Sequence, residues 1–107
     1  MSKIVLTAQA KKDLEEIKVY ISHHLQNPTS AKNTIVGITK ELRRLERFPQ
    51  LGPVVDREEM YLPEERFLVC GQYLAFYRID KGLVTVDRIL YGRRNYAALL
   101  FDLDEEP

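Results

Sequence analysis

The C-terminal part of the chain places the tightest constraint on its fold, because residues 66–101 divide into apolar, β-prone runs separated by glycines. The run RFLVC ends at Gly71-Gln72, the run YLAFYRI ends at Asp80-Lys81-Gly82, and the run that starts at Leu83 ends at Gly92. Runs bounded by such turns are typical of antiparallel hairpins, in which glycine takes positive φ values. The sequence therefore predicts three consecutive strands, with a three-residue loop at Asp80-Lys81-Gly82.

This segment is also basic, although the whole chain is formally neutral, with 16 Lys+Arg against 16 Asp+Glu. Residues 66–101 have a local net charge of +4, from Arg66, Arg78, Lys81, Arg88, Arg93 and Arg94 against Asp80 and Asp87. A basic sheet surface with tyrosines at its margins favours a polyanion or an acidic protein as the partner. We therefore expect the functional surface in this segment.

The N-terminal half has the pattern of one short strand followed by two amphipathic helices. Residues 3–7 are β-prone and Thr7 is a suitable helix cap, after which apolar residues recur every three or four positions, at Ala10, Leu14, Ile17 and Ile21. Asn27-Pro28 interrupts this pattern and suits the start of a second helix, whose apolar positions are Ala31, Ile35, Ile38, Leu42 and Leu45. The short break predicts that the two helices fold back as an antiparallel hairpin.

These elements predict a single α+β domain over residues 1–107, closed by a short helix at 95–101 and a frayed acidic tail at 102–107. The expected order is β-α-α-β-β-β-short α. We expect a small twisted antiparallel sheet that includes the N-terminal strand, with the two-helix hairpin packed on one face. If Ile79 pairs with Leu83, one face carries Leu74, Phe76, Val84 and Val86, and the other carries Ala75, Tyr77, Ile79, Thr85 and Asp87. A slip of one residue would exchange these faces.

The composition excludes several classes of protein. The single cysteine, Cys70, cannot form an internal disulfide, and its apolar neighbours predict a packed thiol. No apolar stretch approaches the roughly 18–20 residues that a membrane span needs, and the N-terminus lacks the apolar core of a signal peptide. We expect a cytoplasmic protein that binds no membrane, no metal and no cofactor.

Several segments resemble the RelE/ParE superfamily, the toxins of the type II toxin–antitoxin modules that stabilise bacterial plasmids. They are LERFPQLG at the end of the second helix, YLAFYRID in the sheet and VDRILYGRRNYAALLF near the C-terminus. The resemblance covers about residues 3–101. It implies a compact sheet with a helical hairpin, growth inhibition, and a cognate antitoxin protein that wraps around the toxin. Any contact with operator DNA would be made through that antitoxin.

The superfamily divides by mechanism, which leaves the cellular target open. The RelE-like branch cuts mRNA in the ribosomal A site, and this chemistry needs a proton acceptor, cations and a donor to the leaving oxygen. The candidates for these catalytic roles here are Arg66, Arg94 and Tyr96. However, Gln72-Tyr73-Leu74 stands where that branch has an arginine after Gly-Tyr, and Leu99 or Leu100 stands where it has a terminal tyrosine. The sequence is therefore more similar to the ParE-like toxins, which are understood to poison DNA gyrase.

Two further sets of residues are candidates for binding. The set expected to contact the cellular target is Tyr91, Arg93, Arg94 and Tyr96, and the set expected to contact the antitoxin is Tyr73, Phe76, Tyr77, Arg78 and Arg88. A structural role competes with each of these, since arginines pair with nearby acids and tyrosines pack in cores. Three functions remain open: a gyrase poison, a ribosome-dependent mRNA endonuclease, and a non-toxic binding module or corepressor of the same fold.

Overall fold

A computed structural model describes residues 2–24, 26–55 and 64–92 of the chain. The elements follow in the order β1 (Lys3–Leu6), α1 (Ala8–Val19), a π-helical turn (Tyr20–His24), α2 (Pro28–Arg43), a 3₁₀ turn (Arg44–Glu46), β2 (Glu65–Cys70), β3 (Tyr73–Asp80) and β4 (Leu83–Tyr91). The predicted α+β class and element order are confirmed as far as β4. The predicted helix at 95–101 and the tail at 102–107 lie outside the described residues.

The four strands form one sheet in the order β1-β4-β3-β2. Strands β2, β3 and β4 are antiparallel neighbours as predicted. The prediction that β1 belongs to an antiparallel sheet is wrong: β1 lies parallel to β4 and makes the sheet mixed, because no hairpin joins it to that neighbour. The segment before β2 extends the opposite edge, where Val54 forms an antiparallel bridge with Arg66. Among the described residues, every helix is too short or too polar to cross a membrane.

Both helices begin at the predicted caps. The Thr7 hydroxyl accepts a hydrogen bond from the Ala10 amide at 3.0 Å and donates one to the Asp87 carbonyl at 3.0 Å, which ties the start of α1 to β4. The Asn27 side chain accepts from the Ser30 amide at 3.0 Å, with Pro28 in the first turn of α2. Each cap contributes about 1 kcal/mol by satisfying an amide that has no partner within the helix.

The loop between β3 and β4 is one residue shorter than the predicted three-residue loop. Asp80 pairs with Leu83, so the loop contains only Lys81 and Gly82, with φ values of 48° and 80°. Positive φ at both central residues is the geometry of the two-residue turn that matches the twist of a hairpin. The sequence did not indicate it, because lysine rarely adopts positive φ.

The same shift corrects the predicted faces of the sheet. Ala75 and Tyr77 face the helices together with Val84 and Val86, in a core completed by Ala10, Ile38, Leu42, Leu45, Leu68, Cys70 and Ile89. Alternation along β3 places Leu74 and Phe76 on the opposite face, where they pack with Val55 and Phe67. Cys70 is buried in the helix-facing core, and burial followed by the nearby Glu41 charge raises the pKa of its thiol to about 12.

A β-bulge interrupts β4 near its middle. Phe76 pairs with Arg88 but Tyr77 pairs with Val86, which leaves Asp87 as the extra residue in β4. Bulges re-aim side chains and are frequent beside functional sites. The two charged residues at this bulge form ion pairs with different parts of the molecule: Asp87 pairs with Arg78 of β3, and Arg88 pairs with Asp13 of α1.

Candidate functional site

Arg66 holds the loop that follows α2. Its guanidinium donates to the Gly52 carbonyl at 2.8 Å and to the Gln50 carbonyl at 3.4 Å, and it forms an ion pair with Glu64 at 3.3 Å. The side chain is only 18% exposed. These partners give the predicted catalytic Arg66 a structural role, because they take three of the five N–H donors of its guanidinium.

Tyr77 fixes the same loop from below. Its hydroxyl donates to the Pro49 carbonyl at 2.8 Å and accepts from the Gly52 amide at 2.9 Å, and the side chain is fully buried. A Cβ on Gly52 would overlap the Phe67 carbonyl oxygen, so the close approach of loop and strand requires glycine. We expected Tyr77 to contact an antitoxin, but its burial excludes it from any such surface. Phe76, predicted for the same surface, is also buried.

Arg78 pairs with Asp87 on the face of the sheet away from the helices. The guanidinium donates two hydrogen bonds to the carboxylate, at 2.7 and 2.9 Å. These bonds lower the pKa of Asp87 against the opposing effect of its burial. Because the guanidinium is partly exposed, the pair lies within reach of a partner, although its charge is already balanced.

Arg88 makes the corresponding pair on the helical side, with Asp13 of α1. The Asp13 carboxylate accepts from the Arg88 guanidinium at 2.9 and 3.2 Å, from the Ile89 amide at 2.9 Å and from Gln9 at 3.0 Å. Asp13 is only 4% exposed, and burial alone would raise its pKa, but these hydrogen bonds outweigh burial and the pKa is lowered. The pair therefore joins α1 to β4 at the bulge.

A cleft of about 710 Å³ opens beside this ion pair, between α1 with its π-helical turn, the start of α2 and the adjacent ends of β3 and β4. Its lining includes three aromatic residues, Tyr20, Tyr73 and Tyr91, and the acidic Glu16. Single π-helical turns are frequently found at functional sites. We call this the tyrosine cleft.

The three tyrosines lie close together at the mouth of the cleft. The rings of Tyr73 and Tyr91 meet edge to face, with centroids 5.4 Å apart and planes at 71°, and Tyr20 stacks on His24 with centroids 4.8 Å apart. Burial, followed by the proximity of Tyr91 and Tyr20, raises the pKa of the Tyr73 hydroxyl. Tyr20 and Tyr91 remain 53% and 64% exposed, so the cleft presents aromatic surface to a partner.

The structure brings only part of the predicted set together. Tyr73, Tyr91 and Arg88 meet in the tyrosine cleft, whereas Arg66 lies at the loop and Arg78 lies on the opposite face. Arg93, Arg94 and Tyr96 lie outside the described residues. Within the described part of the chain, no cluster of His, Cys, Asp and Glu is arranged to hold a metal ion.

Sequence reasoning missed the contribution of α1 to the cleft, because Asp13, Glu16 and Tyr20 look like an ordinary solvated helix face. One sequence signal did mark Asp13, namely its spacing from the apolar residues of α1. Asp13 lies three residues after Ala10 and four before Ile17, which places it on the apolar stripe of α1. An acid on such a stripe calls for a buried basic partner.

A small mixed sheet with a helical hairpin on one face is the arrangement of the RelE/ParE class of fold. Residues 4–96 match the family model described as the ParE toxin of the type II toxin–antitoxin system parDE. Because the match covers most of the chain, the protein belongs to the ParE toxin family. The resemblance inferred from the sequence is thereby confirmed, together with the class of toxin–antitoxin toxins.

Solved structures agree with this fold. The chain is similar to a chain of the chromosomal ParDE toxin–antitoxin system from P. aeruginosa, with 22% identity, a TM-score of 0.71 and coverage of 85% of this chain and 96% of that one. It is also similar to the YoeB dimer from Staphylococcus aureus, with 15% identity, a TM-score of 0.53 and coverage of 85% and 97%. At these identities the likeness concerns the fold alone. No curated protein shows significant sequence similarity to the chain.

Proposed function

We propose that this ParE-family toxin inhibits growth by binding DNA gyrase, without covalent chemistry of its own, and that a cognate antitoxin neutralises it. Gyrase is the target that the resemblance to ParE-like toxins implies. One structural observation supports binding over mRNA cleavage: the three arginines of the sheet in the described residues, Arg66, Arg78 and Arg88, are all held by internal partners.

The energetic cost of recruiting these arginines argues against a nuclease. If Arg88 turned to a phosphate, it would leave the Asp13 carboxylate buried and without its charged partner. Breaking a buried pair in this way costs about 3–5 kcal/mol, reduced here because Arg88 itself is 46% exposed. One well-placed donor contributes about 3 kcal/mol to such a transition state. The cost therefore offsets most or all of the gain.

Among the described residues, the tyrosine beside the RelE-like arginine position at Leu74 is also a poor base. Tyr73 stands beside the residue at which RelE-like enzymes carry an arginine, but its pKa is raised, chiefly by burial. A raised pKa leaves less phenolate at neutral pH, which weakens proton abstraction. Gln72 and Leu74, its neighbours, cannot exchange protons at neutral pH.

The proposed contact to gyrase is the end of β4 and the residues that follow it. Tyr91 is 64% exposed, and Arg93, Arg94 and Tyr96 come next in the chain. Of the residues expected to bind the antitoxin, Tyr73, Arg78 and Arg88 keep accessible surface and remain in the proposal. Because gyrase and the antitoxin act inside the bacterial cell, we place the protein in the cytoplasm.

Controlled expression of the chain in a bacterial host tests this function. We expect growth arrest, induction of an SOS reporter and accumulation of DNA breaks. The substitution Arg94→Ala is expected to reduce all three, and coexpression of the reading frame adjacent to the gene is expected to suppress them. Codon-dependent mRNA cleavage on ribosomes without DNA breaks would establish the endonuclease instead, and normal growth would establish a non-toxic binding module.

A further inference from the structure

We propose that the tyrosine cleft receives a lysine or arginine side chain of the cognate antitoxin, held between tyrosine rings and the carboxylate of Glu16. This inference rests on the proposed function, because it takes the antitoxin as the partner. It assigns a chemistry to the contact: the partner side chain is a cation.

The charge of the cleft selects a cation. Asp13 and Arg88 balance each other in their ion pair, and Glu16 lies in the lining as an exposed carboxylate. Within the described residues Glu16 makes no salt bridge, although it lies near enough to Arg88 to raise the pKa of that guanidinium slightly, after the larger effect of Asp13. The described residues that line the cleft therefore carry a net negative charge, although β3 and β4 belong to the basic half of the sequence. The carboxylate of Glu16 would repel an acidic side chain, so this contact differs in charge from the acidic partner expected for residues 66–101 as a whole.

The shape of the cleft suits a long basic side chain. Three tyrosines near its mouth supply ring faces, each of which attracts a cation within about 6 Å of its centroid. The rest of the lining combines apolar residues, among them Ile17, Ile21 and Ile89, with the polar Ser30, Thr34 and Gln72. Lysine and arginine bury an aliphatic stem against such surface while the charged end meets polar groups. Tyr20 stacks on His24 through one face of its ring and remains 53% exposed, which leaves ring surface for a cation.

The position of the cleft links antitoxin binding to the block of gyrase binding. Tyr91 lines the cleft and also begins the segment that we propose for gyrase binding. An antitoxin anchored in the cleft would cover Tyr91 and so exclude gyrase from the same surface. Binding of the antitoxin and of gyrase is therefore expected to be mutually exclusive.

The test measures the affinity of the chain for the protein encoded by the adjacent reading frame, by isothermal titration calorimetry. Tyr20→Leu removes the ring but keeps apolar bulk, and we expect roughly tenfold weaker binding. Tyr20→Phe keeps the ring face and is expected to bind within about twofold of wild type. Glu16→Gln is expected to weaken binding roughly fivefold, whereas Glu15→Gln, its exposed neighbour outside the cleft, is the matched control and should bind as wild type.

A second measurement identifies the cation on the partner. Each lysine and arginine of the antitoxin is replaced by glutamine in turn and paired with Glu16→Gln in a double-mutant cycle. We expect one position to lose its effect when Glu16 is already neutral, because the two groups then no longer interact. Thermal melts of every variant show that the fold is retained.

The possible results separate this inference from the function on which it rests. If the wild type binds its neighbour and all four variants bind equally well, the cleft assignment is wrong and the proposed function stands. The assignment is equally wrong if Tyr20→Phe and Tyr20→Leu lose the same affinity, or if Glu16→Gln abolishes growth arrest while antitoxin binding is unchanged, since the cleft would then contact the target. If the wild type binds no neighbouring product, neutralisation by an antitoxin fails together with this inference.

Discussion

Substitution of Asp13, whose carboxylate is buried, tests how α1 is joined to the sheet. Asp13→Ala leaves the Ile89 amide, buried at 2% exposure, without an acceptor and removes two charge-assisted bonds from Arg88. A buried unsatisfied donor costs about 1–3 kcal/mol. The lost ion pair adds less than a fully buried one, because the Arg88 side chain is 46% exposed and solvent screens it. We expect the free energy of unfolding to fall by about 3 kcal/mol.

Asp13→Asn separates charge from hydrogen bonding at this position. The amide oxygen can still accept from the Ile89 amide, so we expect about half of the loss seen with alanine. Hydrogen bonds lower the pKa of Asp13 in the folded state, so its stabilising contribution is present above its unfolded pKa of about 4 and is lost as the pH falls through the lower folded value. The stability difference between wild type and Asp13→Asn should therefore shrink in strong acid.

Urea unfolding followed by far-ultraviolet circular dichroism measures these differences at neutral and acid pH. Glu15→Ala is the control, because Glu15 is exposed on the same helix, and it should change stability by less than about 0.5 kcal/mol. If Asp13→Ala is no less stable than Glu15→Ala at neutral pH, the Asp13 carboxylate does not hold α1 to β4.

Three further predictions concern the loop after α2 and the core. Gly52→Ala should destabilise the protein by about 3 kcal/mol or more, because the added Cβ would overlap the backbone of Phe67. Gly37→Ala, in open space within α2, should stabilise it by up to about 1 kcal/mol. Equal effects of the two substitutions in urea unfolding would contradict the loop geometry. Tyr77→Phe should cost about 1–2 kcal/mol in thermal unfolding through the two lost hydrogen bonds, while Tyr91→Phe at the exposed cleft mouth should be neutral, and the reverse order would refute the structural role of Tyr77. Cys70 should react with a thiol reagent only on unfolding, since its thiol is buried with a pKa of about 12, and rapid labelling of the native protein would show that the core is open.

The parts of the fold that sequence predicted are those set by local interactions. Thr7 and Asn27 cap the helices through amides three residues away, and the apolar spacing of each helix is visible in the chain. The β3–β4 register was missed because it depends on a positive φ at Lys81, and lysine does not signal that conformation. The bulge at Asp87 was missed because two of the contacts made there, the Arg88–Asp13 ion pair and the hydrogen bond from Thr7 to the Asp87 carbonyl, join residues distant in sequence.

The candidate site was only partly predictable for the same reason. Its basic residues were visible, but their partners were not: Asp13 is 75 residues from Arg88, and Gly52 is 14 residues from Arg66. Once these partners are known, both arginines acquire structural roles. The tyrosine cleft also depends on contacts between residues distant in sequence. Tyr20 directly follows α1, and it lies beside the sheet because α1 packs against β4.

Action on gyrase by binding can be measured with purified DNA gyrase and supercoiled or relaxed plasmid. Addition of the purified chain is predicted to inhibit supercoiling or to accumulate cleaved DNA, and the adjacent antitoxin should reverse the effect. Translating ribosomes treated in parallel should keep their mRNA intact. Unaffected gyrase, with mRNA cut on the ribosomes, would show that the toxin is an mRNA endonuclease and not a gyrase poison.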